Sequence, residues 1–219
     1  VREMVSRNVK GVVIHDIDNP ISEVYFQHEN SPVNGVIFCA AAICPRKNQF
    51  ALVKAIKPIL NKGLEVELRL AGPITNASYG NKIEQYIKDN NLSNNVKLLG
   101  NLSSQDIIKE LEAATVFSLL SLEENSPMGI EEAMAVGVPV VTSNRCGMPY
   151  MVRHYESGFL VDPNDIDDVV DRLSELLGKP DAHKKMSQKC VEIAKDRFHP
   201  DLIAQRTVRV YEECIKQFS

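Results

Sequence analysis

The sequence has no apolar run near the roughly 20 residues that a membrane-spanning helix needs, and its first residues, VREMVSRNVK, lack the apolar core of a secretory signal. The chain therefore reads as soluble, intracellular and cytoplasmic. It also lacks any Lys/Arg-dense stripe, and its net charge is −4. Phosphate-backbone binding needs clustered cations, so a nucleic-acid surface is excluded, and a basic membrane patch with it. The five cysteines, Cys39, Cys44, Cys146, Cys190 and Cys214, are odd in number and scattered, without a C-x-x-C pair. That pattern supplies neither a disulfide framework nor a zinc site and fits free thiols in a reducing compartment. There is no internal repeat, low-complexity tract, long Gly/Ser linker or acidic metal-binding cluster.

What is present is ordinary globular composition, 44% apolar and 25% charged over 219 residues, enough to bury a sizeable core. Short β-branched apolar runs alternate with helical patterns. VKGVVIH (9–15), VIFCA (36–40), LEVELRLAG (64–72), NVKLLG (95–100), TVFSLL (115–120), VPVVTS (138–143) and GFLV (158–161) are the strand candidates. Between them, NQFALVKAIKPILNK, YGNKIEQYIKDNN, SQDIIKELEAA and PMGIEEAMA carry helical spacing. This alternation predicts an α/β fold: a doubly wound, Rossmann-like, mostly parallel sheet that binds ligands beyond the carboxyl ends of its strands. After GFLV the pattern is helical only. The last segment has apolar residues at Ile203, Val208, Val210, Tyr211 and Ile215, a stripe that needs this sheet or a neighbouring domain to cover it.

The chemistry gathers in SLEENSPMGIEEAMAVGVPVV, residues 121–141, where Glu123, Glu124, Glu131 and Glu132 bracket a Ser-Pro-Met-Gly turn. Ser126 is a good N-cap and Pro127 suits the first helical position, which predicts a helix starting at Pro127. The N–H groups of Met128 and Gly129 then carry the positive end of the helix dipole to where an anionic phosphate would sit, and Gly129 lets the ligand approach the backbone. Acids at a helix start commonly just complement the dipole, for about 0.3–1 kcal/mol each. Acids would also repel a diphosphate, unless the ligand offers sugar hydroxyls for them to accept from. A nucleotide sugar, with its diphosphate between two sugars, meets both demands.

At these residues the sequence resembles the C-terminal, donor-binding domain of retaining glycosyltransferases of the GT-B fold, family 4 (glycosyl transferases group 1). The family pattern of a Glu, seven residues, a Glu and Ala-Met-Ala falls on Glu124, Glu132, Ala133, Met134 and Ala135, followed by Gly137, Pro139, Val140 and Val141. Spacing alone would also allow Glu123 with Glu131; the adjoining Ala-Met-Ala selects the first register. PRKNQ, LAGP, LLGN, ESGFLVDPND and the C-terminal IAQRTVRVYEE extend the resemblance over almost the whole chain. It implies that Glu124 contacts the donor-sugar hydroxyls and Glu132 the ribose, with backbone N–H groups of Met128 and Gly129 on the diphosphate. Lys47 would neutralise that diphosphate with help from Arg46, Leu102 would pack against the base, and Gly147 would lie in a Gly-Gly turn near the donor. Glu123 and Glu131 would be bystanders.

The resemblance further implies transfer of a sugar from a nucleoside-diphosphate sugar to an acceptor hydroxyl with retention, Glu124 and Lys47 being the catalytic pair, without cofactor or metal. Residues 1–8 would end a connecting segment and 181–219 would form C-terminal helices. The acceptor, a glycan or glycolipid, would be held by an N-terminal domain not in these 219 residues, and any peripheral membrane contact would belong to the full-length protein. By itself the chain would bind donor and catalyse little. Three positions depart from the family. Ala40–Ala42 replace a Gly-Arg whose arginine is half of the diphosphate clamp, Cys146 replaces a glycine, and Tyr150 stands where a Glu is usual. Two other functions fit the same scaffold: a non-catalytic nucleotide-sugar binding domain, or a sugar-nucleotide epimerase. The epimerase would need proton-transfer groups, for which His15, Asp16 and Asp18 form the nearest cluster.

Overall fold

In the computed structural model, which describes residues 13–218, six strands form one sheet: β1 (Val36–Ala40), β2 (Glu67–Ala71), β3 (Val96–Gly100), β4 (Val116–Leu119), β5 (Val140–Ser143) and β6 (Gly158–Val161). Their order is β3-β2-β1-β4-β5-β6, and every neighbouring pair is parallel. All residues of β4 and β5 and the first four of β1 are buried. Strands covered on both faces have no solvent side to alternate with, which is why they read as unbroken apolar runs. The hydroxyls within them are satisfied across the sheet. Ser118 donates to the Val141 carbonyl (2.9 Å), Thr142 to that of Leu119 (2.6 Å) and Ser143 to that of Ser121 (2.6 Å).

Helices α1 (Gln49–Asn61), α2 (Ala77–Asp89), α3 (Ser104–Ala113), α4 (Met128–Val136) and α5 (Ile166–Gly178) lie between or after the strands; α6 (Pro180–Arg197) and α7 (Pro200–Phe218) complete the chain. α1 packs on α2 and α5, while α4 packs on α3 and α6, so the sheet is covered twice. Local chemistry marks the helix starts. The Asn76 side chain accepts from Tyr79 N–H, that of Ser103 from Asp106 N–H, and that of Asp165 from Asp167 and Asp168. Each such cap contributes about 1 kcal/mol by satisfying donors that a helix start leaves open.

The doubly wound architecture and its helical tail match the sequence expectation, with one difference. Val13, Ile14 and His15 are not in a strand, because the sheet's edges are β3 and β6; residues 9–12 of that strand candidate, and the connector expected over 1–8, lie outside the described residues. On α7, Ile203 is buried, but Val208, Tyr211 and Ile215 are more than half exposed. The apolar stripe of the last helix is thus not covered by this sheet. Among the described residues, no helix is long and apolar enough to cross a membrane.

Strand order reverses between β1 and β4, since the chain winds outward to β2 and β3 on one side and to β5 and β6 on the other. Loops leaving the carboxyl ends of β1 and β4 part there and leave a crevice. The segments after these two strands hold Arg46, Lys47 and Glu124.

Candidate functional site

After β1 the chain runs through Ala41 and Ala42 into a 3-10 turn, Pro45–Lys47. Buried Gln49 at the start of α1 donates from its Nε2 to the Ala42 carbonyl (2.9 Å), fixing this loop from beneath. The turn projects two cations across the crevice onto one carboxylate. Arg46 and Lys47 both pair with Oε1 of Glu124. Arg46 also donates to the Glu123 carbonyl (2.8 Å), and the Leu122 N–H donates back to the Arg46 carbonyl (2.8 Å). Glu124 and Lys47 are largely sheltered, with side chains 13% and 15% exposed, whereas that of Arg46 is 50% exposed. Their mutual attraction is therefore less screened than that of a surface pair. Lys47 also lies close enough to buried Cys39 to offset part of the burial that pushes that thiol up to about 12.

The helix behind Glu124 begins one residue later than the sequence suggests. Pro127 is the cap and Met128 the first helical residue, and the Ile130 N–H makes a bond back to the Pro127 carbonyl (3.0 Å). Ser126 caps nothing; its hydroxyl donates to Oε1 of Glu131 (2.8 Å). By helix geometry the N–H groups of Met128 and Gly129 have no partner within the helix. Gly129 itself packs against β4 and the end of β1, for a Cβ on it would come 3.2 Å from Phe117 Cζ and 3.6 Å from the Ala40 carbonyl oxygen. The helix N-terminus thus faces the Ala40–Ala42 run.

The loop after β5 closes the other side. Gly147 N–H donates to the Glu124 carbonyl (2.8 Å), and a Cβ on Gly147 would fall 1.5 Å from the Asn125 oxygen. Cys146, beside it, has φ +52, the left-handed region that costs an ordinary residue about 1–2 kcal/mol. A glycine at that position would adopt it freely. Tyr150 is 80% exposed and offers its backbone carbonyl to Arg197 (2.6 Å).

Glu132 lies half-buried on the second turn of α4. Burial raises its carboxyl above the ordinary range, opposed by a hydrogen bond from the Tyr25 hydroxyl. Tyr25, buried in the 3-10 turn Glu23–Gln27, carried no signal in the sequence, since its partner is 107 residues away. Leu102 follows the carboxyl end of β3 and packs partly against the core near the start of α3, the neighbour of α4. From β3 to β4 is three strand spacings, about 14 Å. Structure therefore brings Glu124, Lys47, Arg46, Gly147 and the Met128–Gly129 helix start together, and sets Glu132 and Leu102 apart from them on α4 and at the start of α3.

Glu123 and Glu131, both expected to be bystanders, sit in different surroundings. Glu123 is exposed; Glu131 is 0% exposed, and its Oε2 has no hydrogen-bond partner. Burial pushes its carboxyl from an ordinary 4.5 up to about 7, opposed by the Ser126 hydrogen bond, raised by Asp18, lowered by Arg197 and raised by Glu132. The sign follows from proton binding. The folded state holds a proton that the unfolded chain releases near 4.5, so stability present below that pH is lost as pH rises through about 7. The expected loss is up to about 3 kcal/mol. Glu131→Gln should flatten this slope in urea unfolding midpoints measured from pH 4.5 to 8, and an unchanged slope would assign it to other groups.

His15, Asp16 and Asp18 do not assemble a proton-transfer site beside Glu124. Asp18 is held by Arg197 through two hydrogen bonds, at 2.7 and 3.1 Å, while His15 and Asp16 line a hollow with Arg206 and Arg209 of α7. Among the described residues, no three His, Cys, Asp or Glu side chains gather where they could hold a metal ion.

A doubly wound parallel sheet with a helix N-terminus, two cations and a carboxylate at its switch point defines the class of protein as a Rossmann-like domain with a ligand crevice at its carboxyl edge. The family model for glycosyl transferases group 1 matches residues 22–197, and the chain belongs to that family, corresponding to its C-terminal, donor-binding domain. It is similar to the GDP-mannose-dependent monoacylated alpha-(1-6)-phosphatidylinositol monomannoside mannosyltransferase of Corynebacterium glutamicum. That alignment is 32% identical over 152 residues, 66% of this chain and 38% of that protein. It is also similar to MMP alpha-(1->4)-mannosyltransferase of Mycolicibacterium hassiacum, 29% identical over 204 residues, 92% of this chain and 49% of that one. The chain thus spans less than half the length of these curated relatives. Among solved structures, a glycosyltransferase from Rickettsia africae superposes with a TM-score of 0.86 at 18% identity, covering 98% of this chain and 61% of its own. HepE of Anabaena in complex with UDP-glucose superposes with a TM-score of 0.81 at 23% identity, covering 90% and 57%. These likenesses establish the GT-B fold.

Proposed function

We propose that this chain binds a nucleoside-diphosphate sugar and serves as the donor half of a retaining glycosyltransferase. The observation that carries the reading is Glu124 held between Lys47 and Arg46 beside the Met128–Gly129 helix start. A carboxylate there accepts from sugar hydroxyls, while Lys47 and the helix dipole face the diphosphate. Glu132, on the next turn and within reach of Tyr25, suits the ribose. Leu102 suits the base, since about 14 Å between the ends of β3 and β4 accommodates an extended nucleotide sugar. Two relatives are named for GDP-mannose and one structural neighbour holds UDP-glucose, both ligands of this class.

As the bond from the sugar's anomeric carbon to the diphosphate breaks, negative charge grows on the departing phosphate, and the acceptor hydroxyl oxygen bonds to that carbon while its proton passes to the phosphate oxygen that leaves. Lys47 and the helix N-terminus are fixed beforehand where that charge appears, which lowers the barrier without reorganisation at the moment of reaction. Arg46, committed to Glu124 and the Glu123 carbonyl, is a steadying residue for the carboxylate more than a diphosphate ligand. The acceptor, a glycan or glycolipid, is captured by a domain outside these 219 residues, so the chain alone binds donor and transfers little. A second reading, binding without transfer, is favoured by the missing cation at Ala40–Ala42 and by Arg46 being engaged elsewhere.

A thermal-shift screen of uridine, guanosine and adenosine diphosphates and their sugars tests the donor reading. Ligand at 100 times its Kd stabilises by about 2.7 kcal/mol, or about 5–10 °C for a chain of this size. The shift should vanish in Glu132→Ala; no shift with any nucleotide would overturn the reading. Assaying sugar transfer with an acceptor-binding domain joined to the chain separates the two readings, since a complete protein that binds donor yet transfers nothing is the second.

A further inference from the structure

We propose that Glu131, resting on the donor reading above, is a positioning residue: its buried carboxyl holds the Ser126 turn from behind, so that Glu124 meets the ligand in one fixed place. The geometry has three parts. Ser126, two residues after Glu124, is tied to the body of α4 by its hydroxyl donating to Glu131 Oε1 (2.8 Å). The same loop is tied laterally through the Glu124 carbonyl to the Gly147 N–H (2.8 Å). Behind both loops stands Arg197, at the end of α6, which donates to the Tyr150 carbonyl (2.6 Å) and grips Asp18, and whose charge acts on Glu131.

The cost of this arrangement argues that it is kept for what it holds. Its neighbours on α4, Ile130, Ala133 and Met134, are fully buried and apolar. An apolar side chain at 131 would join them at no desolvation cost, whereas a carboxyl with one oxygen unpaired is expensive there. A residue that breaks the local pattern in a core helix, at the one turn carrying the site, is where function is expected to override packing. An apolar residue at 131 could not take the Ser126 hydrogen bond. Through Ser126, Glu131 sets the reach of Glu124; it does not itself touch the ligand.

Three variants of the chain test this: Glu131→Leu, Glu131→Gln and Ser126→Ala, each measured for thermal stability and for Kd with UDP-glucose and GDP-mannose by calorimetry. Glu131→Leu should melt at or above the parent's temperature at pH 8, yet bind the preferred probe at least about tenfold more weakly. Glu131→Gln, which keeps an acceptor for Ser126, should restore most of the affinity. Ser126→Ala should reproduce the loss, and the double variant should lose no more than either single one, as partners in one contact do. A merely structural role would move stability and affinity together. Backbone hydrogen exchange in residues 121–127 provides a readout that needs no ligand, with faster exchange expected in Glu131→Leu than in the parent. If no nucleotide of the thermal-shift screen binds the parent chain but that exchange quickens, the donor reading fails and the positioning of the turn stands. Parent-like affinity together with parent-like exchange in Glu131→Leu overturns the proposal.

Discussion

A Gly147→Ala chain is expected to bind no nucleotide sugar at concentrations that saturate the parent, although its sheet and helices persist. The reason is space and not backbone freedom. A Cβ at 147 would sit 1.5 Å from the Asn125 carbonyl oxygen and 3.0 Å from its Cα. Both contacts are to backbone, so no side-chain rotation relieves them, and the loops after β4 and β5 must part. Parting breaks the Gly147 N–H bond to the Glu124 carbonyl and carries Glu124 off the Lys47 cation it faces. An overlap this deep with backbone is not relieved by a small shift, so the Gly147 bond and the Lys47–Glu124 pairing are lost together. Calorimetric titration with the donor, alongside circular dichroism to confirm the fold, measures it. Undiminished affinity would mean that the two loops move apart freely and that their contact does not shape the site.

Removing the Lys47 charge should have the second-largest effect. Lys47→Ala is expected to weaken donor binding by about 10- to 100-fold, the value of a hydrogen bond to a charged group in a sheltered site. Joined to an acceptor domain, it should lower sugar transfer by about 100- to 1,000-fold, because the departing phosphate is more negative than the bound one. Lys47→Arg should recover little, since a planar guanidinium does not fill an ammonium's place. Arg46→Ala should be milder, as its guanidinium is half-exposed and spends one hydrogen bond on the Glu123 carbonyl. Glu124→Ala gives the opposite sign for the two halves of the ligand. It releases Lys47 and should leave bare nucleoside diphosphate binding equal or tighter, while the sugar's contribution is lost. Equal loss for diphosphate and for sugar nucleotide would place Glu124 in the scaffold and not on the sugar.

Much of the fold was legible because parallel strands buried on both faces write themselves as short apolar runs. VIFCA is the strand Val36–Ala40 residue for residue, and GFLV is Gly158–Val161. VKGVVIH carries the same composition, yet Val13–His15 form no strand: composition reports fitness for a sheet, and whether a place exists in it depends on the other strands. α4 starts at Met128 and not at Pro127, and Ser126, a good cap by type, makes no cap bond but donates to Glu131.

For the site the division is sharper. Spacing along one chain left two registers for the paired glutamates, between which the family's Ala-Met-Ala pattern selects Glu124 with Glu132, and it put a helix start between them to within one residue. The expectation that ligands meet the carboxyl ends of the strands comes from the rule that a doubly wound sheet opens there, whereas Lys47, Leu102 and Gly147 were singled out by the resemblance. Packing between distant elements brings Arg46 onto Glu124 and Tyr25 onto Glu132, and it seals Glu131 from water. Adjacent residues on a helix point about 100° apart, so one of two neighbouring glutamates goes inward, and which one does is fixed by where α6 and the Ser126 turn pack against α4.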